Sequence, residues 1–78
     1  MTTNIEQFVI DKVKQKRIEA GWSQADLATH LDVTNGFIGK VESPKHEAKY
    51  NLNHINTLAI IFKCSPSDFL PTQPFLND

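Results

Sequence analysis

The sequence predicts an all-α fold, a compact bundle of five helices, and three observations predict it. Between residues 23 and 43 the apolar side chains fall into two short helical patterns. Leu27, Ala28 and Leu31 stand at i, i+1 and i+4, and Ile38 and Val41 at i and i+3. Each pattern is preceded by a start signal: Ser23 with Asp26 three residues on reads as a capping box, and Thr34 suits an N-cap. Helical spacing also recurs on both sides, as Ile5, Val9 and Val13 upstream and Ile55, Leu58, Ala59 and Phe62 downstream. Asp32 and Val33 interrupt both central periods, so the second and third helices must meet at a tight corner, where the small Ala28 lets their backbones approach. That is the pattern of a helix-turn-helix.

The first helix begins near Thr3 or Asn4, where Thr3-x-x-Glu6 forms a capping box, and ends at Ala20 with Gly21 placed as a left-handed C-cap. Ile5, Phe8, Val9, Val13 and Ile18 run along one side of it. Trp22 is expected to pack beneath the turn that follows. The third helix spans 35–42 and stops at Ser43-Pro44. A loop carrying Lys45, His46, Lys49 and Tyr50 leads to the fourth helix, from about Asn53 to Phe62 or Lys63, with Asn51 as candidate cap. Its expected core face is Leu52, Ile55, Leu58, Ala59 and Phe62. Ile60 and Ile61 cannot both join that face, which leaves one of them for another helix or another subunit. Ser65, Pro66 and Asp68 mark a fifth helix, closed by Phe69 and Leu70. The domain is read as 1–70. Residues 71–78 form a non-helical tail whose Phe75 and Leu76 either fold back or help to pair two copies.

Seventy-eight residues, 40% of them hydrophobic, make one small domain near the lower limit for an unaided core. A single cysteine excludes an internal disulfide and fits a reducing cytoplasm, where the chain is expected to act. No apolar run approaches the ~20 residues of a membrane span, and the N-terminus lacks the layout of a signal peptide. His30, His46, His54 and Cys64 show no metal-ligand spacing, no glycine-rich phosphate loop appears, and no nucleophile stands with a base. Neither an enzyme nor a metal or other cofactor is expected.

The central stretch resembles the DNA-binding domains of the Cro/C1-type family, the lambda-repressor-like helix-turn-helix domains of phage repressors. The carrying residues are Gln24, Leu27-Ala28, Leu31, Val33-Thr34, Ile38 and Val41-Glu42. The likeness extends upstream through 13–18 and Gly21-Trp22, and downstream through Leu58-Ala59 and 65–70. It implies a DNA-binding transcriptional regulator, a repressor acting on double-stranded DNA as a homodimer, whose third helix enters the major groove. It also implies that Arg17 pairs with Glu42, tying the first helix to the end of the recognition helix, and that Gln24 contacts a phosphate. At the corner, where the family usually has glycine, Asp32 stands instead; aspartate is among the few residues that tolerate a left-handed conformation.

On this reading the base contacts fall to Asn35, Gly36, Phe37 and Lys40. Asn35 can pair with adenine N6 and N7, and Lys40 can donate to guanine O6 and N7. Phe37 has no place on the buried face; it meets a thymine methyl or fills a crevice beside the second helix. Gly36 and Gly39 let the backbone approach DNA, or Gly39 merely serves a tight helix crossing. Phosphate contacts fall to Arg17, Gln24, Thr34, Ser43, Lys45 and Lys49, although the basic run 12–17 and the loop lysines would by default be solvated. Net charge is −1, so weak non-specific affinity is expected. Two alternatives stand beside this reading: a protein-interaction module on the same scaffold, and an antitoxin that represses its own operon.

Overall fold

Four α-helices form where the sequence supplies both an apolar stripe and a start signal. The computed structural model describes residues 2–77; Met1 and Asp78, at the outer ends of the predicted domain and tail, lie outside the described residues. The helices are α1 (Asn4–Glu19), α2 (Gln24–Leu31), α3 (Asn35–Glu42) and α4 (Leu52–Ile61). They are followed by a short 3-10 helix, Pro66–Phe69, and the described residues contain no strand.

Capping accounts for the starts. Thr3 Oγ1 accepts the Glu6 N–H, and the Glu6 carboxylate accepts the Thr3 N–H at 2.8 Å. Ser23 and Asp26 repeat that exchange at α2, and Ser65 and Asp68 at the 3-10 helix. At α4 the box is made by Asn51 with His54, whose ring Nδ1 accepts the Asn51 N–H at 3.0 Å. The stops share one geometry. Gly21, Asp32 and Lys63 have φ of +75°, +61° and +55°, and each follows a helix. In all three cases the next residue's N–H returns to a carbonyl five residues back: Trp22 to Arg17, Val33 to Ala28 and Cys64 to Ala59. These are Schellman ends, which satisfy carbonyls a helix would otherwise leave open.

The core gathers Val9, Ile10 and Val13 from α1, Leu27, Ala28 and Leu31 from α2, Ile38 and Val41 from α3, and Ile55, Leu58 and Ala59 from α4, with Tyr50 and Phe69. Four expected core positions, Ile5, Ile18, Leu52 and Leu70, lie outside it and are exposed. Ile5 and Ile18 are exposed because α1, at 16 residues, is about 24 Å long, and only its middle, at Val9, Ile10 and Val13, is buried in the core. Leu52 opens α4 on the solvent side and is 80% exposed. Ile60 is exposed and Ile61 half-buried.

The expected fifth α-helix is a single 3-10 turn. Pro66 at its first position allows the start, but Pro71 disfavours helical backbone at Leu70, which is extended at φ −111° and ψ 151°. Four residues between those limits leave room for one turn. Its Phe69 is fully buried. The tail folds back along α1: the Phe75 ring meets Phe8 edge-on at 6.2 Å, and the Asn4 amide donates to the Asn77 carbonyl at 3.3 Å. Leu76 stays in solvent.

Candidate nucleic-acid interface

The corner between α2 and α3 is three residues long, Asp32, Val33 and Thr34. Asp32 makes the left-handed turn, and Thr34 caps α3 by accepting the Phe37 N–H on its hydroxyl at 3.1 Å. With Ile38 and Val41 buried inward, the outward edge of α3 presents Thr34, Asn35, Gly36 and Lys40, all exposed. Among the described residues neither the Asn35 amide nor the Lys40 ammonium has an intramolecular partner. The helix therefore offers two hydrogen-bonding side chains to whatever approaches it.

A buried ionic lock fixes the far end of α3. Arg17 Nε donates to Glu42 Oε2 and Arg17 Nη2 to Glu42 Oε1, both at 2.9 Å, while Nη1 donates to the Trp22 carbonyl at 2.7 Å. The side chains are 11% and 3% exposed. This fork-on-fork pairing is the strong, directional form of the interaction, and it joins α1, the α1–α2 turn and α3 at one point. Gln24 completes it by donating its amide to Glu42 Oε1 at 3.2 Å. Two expectations change accordingly. All three guanidinium nitrogens of Arg17 donate to protein acceptors, so its first role is to hold the frame, with one N–H left on each of Nη1 and Nη2. Gln24 lies across α3 with its amide turned to Glu42, so its assignment to a phosphate is weakened in the same way.

Phe37 is corrected more plainly. Its ring is half-buried against Tyr50, edge-on at 6.1 Å, and against His54 at 5.2 Å. It thus fills a crevice beside the start of α4 and not one beside α2. Burial pushes the Tyr50 phenol above its ordinary pKa, with Glu42 adding to the rise and Arg17 opposing it, and nothing among the described residues hydrogen-bonds its hydroxyl. Burial also lowers the His54 pKa, which favours the neutral ring its cap requires.

Neither glycine of α3 is needed by the fold. A Cβ on Gly36 would meet only Thr34 Oγ1, at 4.0 Å, and one on Gly39 would lie 3.6 Å from Gln24 Oε1, an ordinary contact. The helix crossing is therefore not what requires glycine at position 39.

The basic residues divide. Lys49 pairs with Glu6 at 2.9 Å, tying the loop to the start of α1; together with the Thr3 cap, which acts more strongly, that contact lowers the Glu6 pKa. Lys12 and Lys16 lie over the Phe8 and Phe69 rings, each 5.7 Å from the centroid. Lys40 and Lys45 are exposed; the Lys45 N–H donates to Ser43 Oγ at 3.3 Å, which turns the chain out of α3. Trp22 packs against the core with its ring stacked on His30 at 4.1 Å and tilted on Phe62. No group of three or more His, Cys, Asp or Glu side chains among the described residues is arranged to hold a metal ion, and none of the described helices is long and apolar enough to cross a membrane. The partnerships of Gln24 with Glu42, Phe37 with His54 and Lys49 with Glu6 were missed in the sequence. They join residues 17 to 43 positions apart, where no local spacing signals a contact.

No protein-family model matches the chain, and no curated protein matches it. Among solved structures, one described as a hypothetical transcription factor, NHTF from Neisseria, superposes with a TM-score of 0.74 at 19% identity, covering 87% of this chain and 76% of that one. A second, apo-HppE, gives 0.71 at 18% identity over 87% of this chain but only 37% of its own. At such identities the likeness shows the fold alone. Its recurrence inside a much longer chain of another name means that function must be argued from the site.

Proposed function

We propose that this chain is a sequence-specific DNA-binding transcriptional regulator of the Cro/C1 type, a repressor that uses α2 and α3 as its helix-turn-helix and acts as a dimer. The observation that carries the reading is the outward edge of α3: Asn35 and Lys40 stand free in solvent on a helix whose other end is clamped by a buried bidentate pair. A rigid helix with uncommitted amide and ammonium groups suits base-edge readout. The fold shared with a chain described as a transcription factor points the same way. Base contacts are assigned to Asn35 and Lys40, with Gly36 allowing close approach. Phosphate contacts are assigned to Thr34, Ser43 and Lys45, with Lys49 joining only if it leaves Glu6.

Selection of bound duplexes from a random DNA library at near-physiological salt tests the reading. An enriched palindrome with half-sites about one helical turn apart, ~34 Å, is the expected result; absence of any enrichment would overturn it. Two substitutions then separate the roles. Asn35→Ala is expected to weaken binding by about 1–3 kcal/mol and relax preference at one base, whereas Lys45→Ala weakens all sequences alike. Uniform loss in both would refute the assignment of Asn35.

Gly36→Ala separates stability from binding. Because its methyl meets only Thr34 Oγ1, at an ordinary contact distance of 4.0 Å, the substitution is expected to raise stability by roughly 0.5–1 kcal/mol while reducing DNA affinity. Titration and thermal melting of the same variant measure both; unchanged affinity would remove Gly36 from the interface.

The protein-interaction alternative has one observation in its favour, the exposure of Leu52 and Ile60. An apolar contact is nearly indifferent to salt, whereas binding to DNA weakens steeply as salt rises.

A further inference from the structure

Asn35 differs from the chain's other asparagines in the residue that follows it. There are six, and five are followed by a residue with a β-carbon: Ile5, Leu52, His54, Thr57 and Asp78. Only Asn35 is followed by glycine. All six are exposed, so access to solvent does not separate them, but the neighbour does. With no Cβ beside it, the Gly36 backbone nitrogen has an unhindered approach to the side-chain carbonyl of the residue before.

We propose that Asn35–Gly36 is a self-modifying site, at which the folded chain deamidates and turns the exposed amide of α3 into a carboxylate. Water is the only co-reactant. The Gly36 nitrogen gives its proton to solvent and attacks Cγ of Asn35. An N–Cγ bond forms, the Cγ–Nδ2 bond breaks, and Nδ2 takes up a proton and leaves as ammonia. Water then adds to one carbonyl of the resulting five-membered imide. Opening at Cγ gives aspartate on an unaltered backbone; opening at the main-chain carbonyl gives isoaspartate, whose backbone runs through Cβ and Cγ. Either product adds one carboxylate, which takes the formal net charge from −1 to −2.

The reacting groups are both uncommitted. Among the described residues the Asn35 amide has no partner, and the Gly36 N–H has no acceptor. The Thr34 carbonyl and hydroxyl reach past it to the Phe37 N–H, at 3.1 Å each, and the carbonyl also to Ile38. Helical backbone, with ψ about −42°, does not aim the Gly36 nitrogen at Cγ, so the reaction draws on opening of the first turn. α3 opens most readily there. It has eight residues, two of them glycine, and its other end is held by the Arg17–Glu42 lock, which leaves the first turn as the end that frays.

The consequence for binding rests on the DNA reading above. An asparagine amide offers adenine a donor for N7 and an acceptor for N6. A carboxylate keeps only the acceptor and brings negative charge among phosphates. The aspartate product leaves the fold intact, because an anion is favoured at a helix N-terminus. Binding is therefore lost with the age of the molecule while the domain stays folded.

Purified protein held at physiological temperature and neutral pH is digested at intervals and mapped by mass, with isoaspartate scored by enzymatic methyl transfer. The peptide carrying Asn35 is expected to gain the mass of an amide-to-acid exchange well ahead of those carrying the other asparagines. Gly36→Ala is expected to react at least about tenfold more slowly, because its Cβ crowds the attacking nitrogen. Thr34→Ala, which loses the cap on the Phe37 N–H, should react faster than the wild type. Asn35→Asp is expected to melt no lower than the wild type and to bind the selected duplex at least about tenfold more weakly. An Asn35 that reacts no faster than the other asparagines, or that reacts in urea but not in the folded chain, would overturn the proposal. So would a Gly36→Ala variant that deamidates at the wild-type rate. Deamidation at Asn35 in a chain that selects no duplex would support the site and sink only the DNA reading.

Discussion

Replacing Arg17 with alanine is expected to lower the stability of the fold by about 3–5 kcal/mol, the usual loss when one partner of a buried ion pair is removed. The magnitude follows from what stays behind. Glu42, 3% exposed, would keep its charge in the interior with only the Gln24 amide on Oε1, and the Trp22 carbonyl would lose its 2.7 Å donor. For a domain of this size each kcal/mol moves Tm by roughly 4–8 °C, so the melting point should fall by more than about 10 °C. The double variant Arg17→Met, Glu42→Leu is the control. With both charges gone and apolar bulk in their place the loss should be much smaller, because isosteric apolar replacements of buried pairs are often neutral. Thermal melts of the two single variants and the double variant close the cycle. An Arg17→Ala loss below about 1 kcal/mol would mean that the lock contributes little to the frame behind α3.

That lock shows where the sequence was readable. Helix starts were legible because the capping exchange is local: Thr3 with Glu6, Ser23 with Asp26 and Ser65 with Asp68 each lie three residues apart. The central α2–α3 pair followed from its apolar spacing. Stops were half legible, since Gly21 announces a left-handed residue, Asp32 permits one, and Lys63 gives no warning. Leu52 and Ile18 were misplaced because spacing assigns a face to a helix but does not say how much of the helix the core covers. The outward edge of α3 could be read by subtracting its buried positions. The Arg17–Glu42 pair was reached only through the family resemblance, and the partners that commit Gln24, Phe37 and Lys49 could not be read, for they are set by how distant elements meet.

The short fifth element carries the second large effect. Phe69→Ala is expected to cost about 3–5 kcal/mol, the range for truncating a buried phenylalanine. Although it sits on one turn of 3-10 helix, the Phe69 ring is fully buried, lies 6.4 Å from the Phe62 ring and is covered on its other side by the Lys16 side chain. It pins the end of the domain onto α1 and α4 together. Domains of this size hold only about 4–12 kcal/mol in total at ~0.05–0.15 kcal/mol per residue, so the variant should lose a large share of its stability. Phe75→Ala is the matched comparison: that ring is 43% exposed and touches Phe8 from the outside, and its loss should stay below about 1 kcal/mol. Urea titrations of the two variants measure the difference through the shift in midpoint. Near-equal midpoints would show that the tail, and not the 3-10 turn, closes the core, and would move the boundary of the folded domain past Leu70.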